Sequence, residues 1–161
     1  MANKGIGILF EGDKALIKAL DKLGGAAFNI SVKASRAAMV PVNKAAKQNA
    51  KALQDTGALW KAIGIKSKRY PRAGVMWVGV GPRTGHAVKT DDGRTRDPVN
   101  YGHLVEFGFN NVRTGRHVAA RPYLRPAFDR NARKVFGIYN SKMIAGLISA
   151  TEKARRQSGG K

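Results

Sequence analysis

The chain has no cysteine among its 161 residues. That excludes disulfides, thiolate metal sites and cysteine nucleophiles, and it suits a protein made in a reducing cytoplasm. Aromatic residues are scarce, at 7%. No RNA-recognition aromatic block, zinc-finger spacing or helix-turn-helix pattern accompanies them, so any contact with DNA is expected through charge and not through base reading. No apolar run approaches the roughly 18 residues of a bilayer span, and no membrane partner is expected. The opening residues, MANKGIGILFEGDK, lack the long apolar segment of a secretory leader. Carboxylates are few: 10 Asp+Glu stand against 30 Lys+Arg.

The shortage of acids also limits chemistry. Glu106 sits in an apolar block with no second carboxylate near it in sequence, so a paired acid–base site is not available. His86, His103 and His117 are scattered, with no metal-ligand spacing. Gly79–Val80–Gly81 lacks the rest of a phosphate loop, and no G-x-S-x-G occurs. No catalytic residue, cofactor or metal is expected, and the chain reads as a non-enzyme. Glu106 is expected instead to be buried and paired with Arg121 or Arg125.

What is abundant is positive charge. A net charge of +20, spread along the whole chain, favours polyanions through phosphate contact and counterion release. The same charge also suits a basic surface that is merely soluble. The length and the 43% apolar content predict one domain over residues 1–161 with a real core.

Along the chain, Gly5–Phe10 reads as an edge strand or the end of a flexible arm covering about residues 1–11. Asp13 is a helix N-cap with Leu16, Ile17, Leu20 and Leu23 on one face. From Ala26 to Leu53 the residues form helix, and no carboxylate occurs between Asp21 and Asp55. At 100° per residue, Lys33, Arg36, Lys44, Lys47 and Lys51 share one stripe and are the candidates for facing an anion or a DNA channel. Ala38, Val42, Ala45, Ala46 and Leu53 fall opposite. Pro41 should kink or split this helix. Ala58–Ile63 forms a short helical turn. Ile63–Arg69 and Gly74–Val80 form two strands of a hairpin closed by Pro82. Residues 82–99 form a mobile polar loop, in which Gly85, His86, Asp91, Asp92 and Arg94 are candidates for subunit contact. From Pro126 to about Arg156 a last helix buries Phe128, Val135, Ile138, Tyr139, Ile144, Leu147 and Ile148, and the tail from about residue 155 frays. The order predicts an α+β fold, a small antiparallel sheet packed on two long helices and shorter ones.

The stretch Tyr101–Asp129 organises the rest. Its first block, YGHLVEFG, has helical spacing, with Tyr101, Leu104, Val105 and Phe107 assigned to core or sheet packing. Its second, RPYLRPA, holds Pro122 and Pro126, which push Arg121 and Arg125 to extended backbone and place Pro126 at the start of the last helix. The blocks Tyr101–Gly108 and Arg121–Ala127 together resemble the phage tail-component family encoded between head–tail connector and major tail genes. Members typically show a Tyr-Ala…Val-Glu-Phe-Gly block, then Pro-Phe-Leu-Arg-Pro-Ala leading into a last helix. Thr56, Gly57 and Leu59 resemble the family's TG-x-L element, and Val78–Gly81 its central strand, so the resemblance covers roughly residues 30–150. The motif residues matched are Thr56, Gly57, Leu59, Tyr101, Val105, Glu106, Phe107, Gly108, Arg121, Pro122, Tyr123, Leu124, Arg125, Pro126 and Ala127. The departures are Gly102 where alanine is usual, Tyr123 where phenylalanine is usual, and Ala58 where a basic residue is common.

The resemblance implies a structural virion protein of the neck, a tail-completion subunit at the head–tail joint, made in the host cytoplasm. It implies a homo-oligomeric ring, six-fold favoured and twelve-fold possible, around packaged double-stranded DNA that it meets by non-specific charge. Its partners would be the connector or stopper, the tail terminator and the tail tube. The alternatives are a terminator or stopper of the same neck, or a free-standing basic DNA-binding protein.

Overall fold

The computed structural model describes residues 7–8, 25–53, 57–70, 73, 75–89 and 93–158. The expected helix from Asp13, the Thr56 motif position and the contact candidates Asp91 and Asp92 lie outside them. The fold is α+β, as expected.

Two helices open the described frame, α1 (Ala26–Ala38) and α2 (Val40–Ala52). They are separated at Met39, whose N–H still reaches the Ser35 carbonyl at 3.1 Å. Pro41 falls in the first turn of α2, where a missing N–H leaves no carbonyl unpaired. The run is therefore split in two, as Pro41 requires. Both helices bury small residues: Ala27, Ala34 and Ala38 on α1, then Val42, Ala46 and Ala50 on α2. Small side chains let a third helix lie close. That helix is α5 (Leu124–Ser158), 35 residues long, which packs along both. Gly146 of α5 is a point of close approach, since a Cβ there would fall on the side chain of Ile30. Gly146 is a packing position.

Between α2 and the sheet lies α3 (Ala58–Ala62), entered from Gly57 in the left-handed conformation, φ 74°. The sheet is antiparallel, ordered β1–β3–β2, from β1 (Gly7–Ile8), β2 (Ile63–Tyr70) and β3 (Val75–Pro82). Its main hairpin runs in register from Ile63 opposite Pro82 to Tyr70 opposite Val75. Gly7–Ile8 pairs with Gly79 and Val78, the edge-strand alternative for the opening segment. Met76, Val78 and Val80 are buried from β3. With Ile63, Leu59, Tyr123, Ala127, Val135 and Tyr139 they close a core between sheet and helices.

Three further elements were read as loop or only partly anticipated. Residues 88–96 form a small hairpin, β4 (Val88–Lys89) with β5 (Thr95–Arg96). It leads into α4 (Pro98–Phe107). A second small hairpin follows, β6 (Phe109–Asn110) with β7 (His117–Val118).

The last helix differs from expectation at both ends. Arg125 is helical although a proline follows it, because Pro126 stands in the first turn of α5, where helical backbone needs no N–H. At the far end the helix continues through Ser158. Its apolar side is also narrower than expected. Val135 and Tyr139 are buried and Phe128, Ile138 and Leu147 are packed against the core, but Ile144 and Ile148 are exposed. They follow Val135 and Tyr139 by intervals that carry them round the helix, away from α1 and α2.

Candidate functional site

The two motif blocks meet through one carboxylate. Helix α4 starts where Asp97 caps it, accepting from the Val99 N–H at 3.1 Å, with Pro98 as first helical residue. This places Glu106 on the inner side of the last turn, at 4% exposure. Its Oε2 accepts the N–H groups of Tyr123 and Leu124 at 2.8 and 2.9 Å, and its Oε1 accepts that of Arg125 at 2.8 Å. A helix leaves its first four N–H groups without intrahelical acceptors. At the start of α5 three are taken by Glu106 and the fourth position is Pro126, which has none. The cap is complete. A negative charge at a helix N-terminus is also favoured by the helix dipole.

The expected partners of Glu106, the Arg121 and Arg125 side chains, are therefore corrected. Both are exposed, and the carboxylate is saturated by backbone donors. Arg121 contributes through its own N–H, which reaches the Val105 carbonyl at 2.8 Å. Phe107 is a second correction: it is 62% exposed and not core. One residue step turns a helix by about 100°, so pointing Glu106 inward turns its neighbour outward. The chain can then reverse because Gly108 adopts φ 72°, and a Cβ there would lie 2.7 Å from the Val118 carbonyl oxygen.

Two of the three departures from the resembled pattern, Gly102 and Tyr123, lie against each other. Tyr123 is buried, and its hydroxyl donates to the Gly102 carbonyl at 3.4 Å. A Cβ on Gly102 would stand 2.9 Å from that hydroxyl and 2.8 Å from Pro82 Cγ. The glycine at 102 leaves room for the Tyr123 hydroxyl. Burial first, and then the charge of Glu106, hold the Tyr123 hydroxyl well above the usual phenol range, so it stays a neutral donor.

Around this tie the surface is open. A groove of about 450 Å³ runs beside α4, lined by Tyr101, Leu104, Val105 and Phe109 with Thr95, Arg96, Asp97 and Asn100. The β6–β7 turn stands beyond it. Asn111 holds it by accepting the Arg113 N–H at 3.0 Å through its side chain, and by a backbone bond from its N–H to the Arg116 carbonyl at 2.9 Å. The Asn-to-Gly spacing of NVRTG was the signal that could have found this hairpin, just as Asp97–Pro98 could have announced α4.

The basic candidates are carried by two successive helices. Lys33 and Arg36 are exposed on α1, and Lys44 and Lys51 on α2, with Lys47 half-buried. Arg36 donates to the Ser67 hydroxyl of β2 at 2.9 Å, and the Lys51 ammonium lies 5.9 Å from the Trp60 ring centroid. Gly85 and Arg94 are exposed and His86 is half-buried; Gly85 and His86 precede β4, and Arg94 lies between β4 and β5. Of the motif residues, Gly57 opens α3, Leu59, Tyr123 and Ala127 are buried, Tyr101, Val105 and Leu124 pack on the core, and Pro122 is exposed. Among the described residues no group of three His, Cys, Asp or Glu could hold a metal ion. No described helix is long and apolar enough to cross a membrane.

Among the described residues the one buried carboxylate is thus spent on architecture. The model of a family described as "Bacteriophage HK97-gp10, putative tail-component" matches residues 14–108. The match runs from before α1 to the end of α4, and leaves β6, β7 and α5 outside it. No curated protein and no solved structure is detectably similar.

Proposed function

The chain belongs to the HK97-gp10-like family of bacteriophage tail components, and from that premise we propose that it is a ring-forming subunit of the neck, completing the tail where it meets the head. A tail component is a structural protein of the virion tail, working with other tail and neck proteins. The finer reading is a homo-oligomeric ring, six-fold or twelve-fold, between connector or stopper and tail terminator or tail tube, surrounding the DNA. The observation that carries it is the net charge of +20 on a frame whose buried carboxylate is already saturated. So large a surplus of cations is suited to a duplex passing by, or to acidic neighbouring rings, without recognising any sequence.

Mass photometry of the protein alone and with the connector tests the ring, and proteomics of purified virions tests its place. A protein that stays monomeric with every neck partner and is missing from virions refutes the reading. The gene's deletion is expected to leave filled heads and separate tails.

A second reading, a free-standing DNA-binding protein, rests on the same charge. Its affinity for duplex would fall steeply with salt. Replacing Lys33, Arg36, Lys44, Lys47 and Lys51 by glutamate separates the two. Lost DNA retention with normal joining of heads and tails favours DNA binding as a separate property. Lost joining places those residues in the neck.

A further inference from the structure

The long helix α5 carries a surface unlike the rest of the molecule. From Val135 to Thr151 its only charged residue is Lys142, in a chain of net charge +20. On the side turned away from α1 and α2, Ile144 is 59% exposed and Ile148 53%, and the half-exposed Phe136 continues the same line. These belong to one i, i+4 row, Phe136–Asn140–Ile144–Ile148, which forms a ridge on the helix surface. Beside it runs a parallel row of small, exposed residues, Gly137, Ser141, Ala145 and Ser149. The face thus holds a ridge and a groove of the same pitch.

Its chemistry selects its occupant. A polyanion would find one lysine here, whereas cations are plentiful on α1, α2 and the β6–β7 turn. An acidic protein would be drawn to those cations for the same reason. Two copies of this chain repel wherever basic faces meet, and this face is where they approach with least repulsion. Ridge and groove also match when the face meets itself, each ridge lying in the other's groove, with the helices crossing at about −50°. We propose that the unassembled protein pairs through the outer face of α5 with a second copy, as a two-fold symmetric dimer. Such a dimer has no top or bottom, whereas a joint between head and tail has both. The pair is therefore a form that parts when the chain enters the neck, and this last step rests on the neck reading.

The test uses the full chain in sedimentation velocity or mass photometry. The wild type is expected at twice the 17.4 kDa chain mass. Ile144→Glu and Ile144→Lys are each expected to run as monomers with unchanged helical circular dichroism. Mixed in equal amounts they should pair again, at least about tenfold more tightly than either alone, because like charges repel across a symmetric contact and opposite ones attract. A misfolded variant would not be rescued by another. A monomeric wild type, single variants that pair as the wild type does, or a mixture that stays monomeric overturns the proposal. If the wild type is monomeric and Ile144→Glu fails to enter virions, the face belongs to another tail protein. A wild type that pairs through Ile144 yet is absent from virions leaves the dimer standing and refutes the neck reading.

Discussion

Replacing Glu106 by glutamine tests the tie between α4 and α5 with almost no change of shape. The amide keeps one acceptor oxygen. Set at the position of Oε2, it retains the bonds from the Tyr123 and Leu124 N–H groups, and its NH₂ then faces the Arg125 N–H, now 2.8 Å from an acceptor. One hydrogen bond to a charged group is lost, worth about 1.5–3 kcal/mol, and a buried donor is left facing another donor. The two remaining bonds lose their charge assistance, and the helix dipole loses its counter-charge, a further ~0.5–1 kcal/mol. The expected destabilisation is about 3 kcal/mol, a large share of the ~5–15 kcal/mol by which such a chain is stable. In a protein of this size that corresponds to a fall in Tm of roughly 6–12 °C. Urea unfolding followed by circular dichroism measures it. Hydrogen exchange should show the amides of residues 123–125 opening before the rest of the core. A loss under about 1 kcal/mol, with those amides still protected, would refute the idea that this carboxylate holds the start of α5.

Gly102→Ala should destabilise by about 1–3 kcal/mol through overpacking, and by clearly less in a Tyr123→Phe background, where the hydroxyl 2.9 Å from the new methyl is gone; a thermodynamic cycle with no coupling would contradict the proposed compensation. Because the folded Tyr123 hydroxyl holds its proton more tightly than the unfolded one, its contribution is fully present below the ordinary phenol value of about 10 and is lost as pH rises above it. Stability of the wild type between pH 9 and 11.5 should therefore fall more steeply than that of Tyr123→Phe. The Ser35 hydroxyl is buried with no partner among the described residues, so Ser35→Ala should leave stability unchanged or raise it by up to about 1 kcal/mol in the same unfolding assay.

What could be read from the sequence was whatever depended on local rules. Pro41 announced the split between α1 and α2, and alternation in Ile63–Arg69 and Gly74–Val80 announced the hairpin. The motif blocks announced where the chain is organised. What escaped depended on which neighbour each residue meets. Glu106 was seen to need partners, but arginines are the usual partners of a carboxylate, and nothing local tells that three N–H groups 17 to 19 residues away will reach it first. Phe107 looked like core because it is aromatic, while its helical phase is set by its buried neighbour. Ile144 and Ile148 continued an apolar pattern whose buried side is decided by the position of α1.

The cap on α5 also bears on the order in which the chain acquires its structure. Synthesis delivers Glu106 before residues 123–125, so α4 emerges while the three donors of its carboxylate are not yet free to reach it. Burying it at that point would cost several kcal/mol. The last turn of α4 should therefore stay in water until α5 arrives, and the core around Tyr123 closes in the same step. One buried charge is thus expected to hold part of the fold open until the last helix is there to complete it.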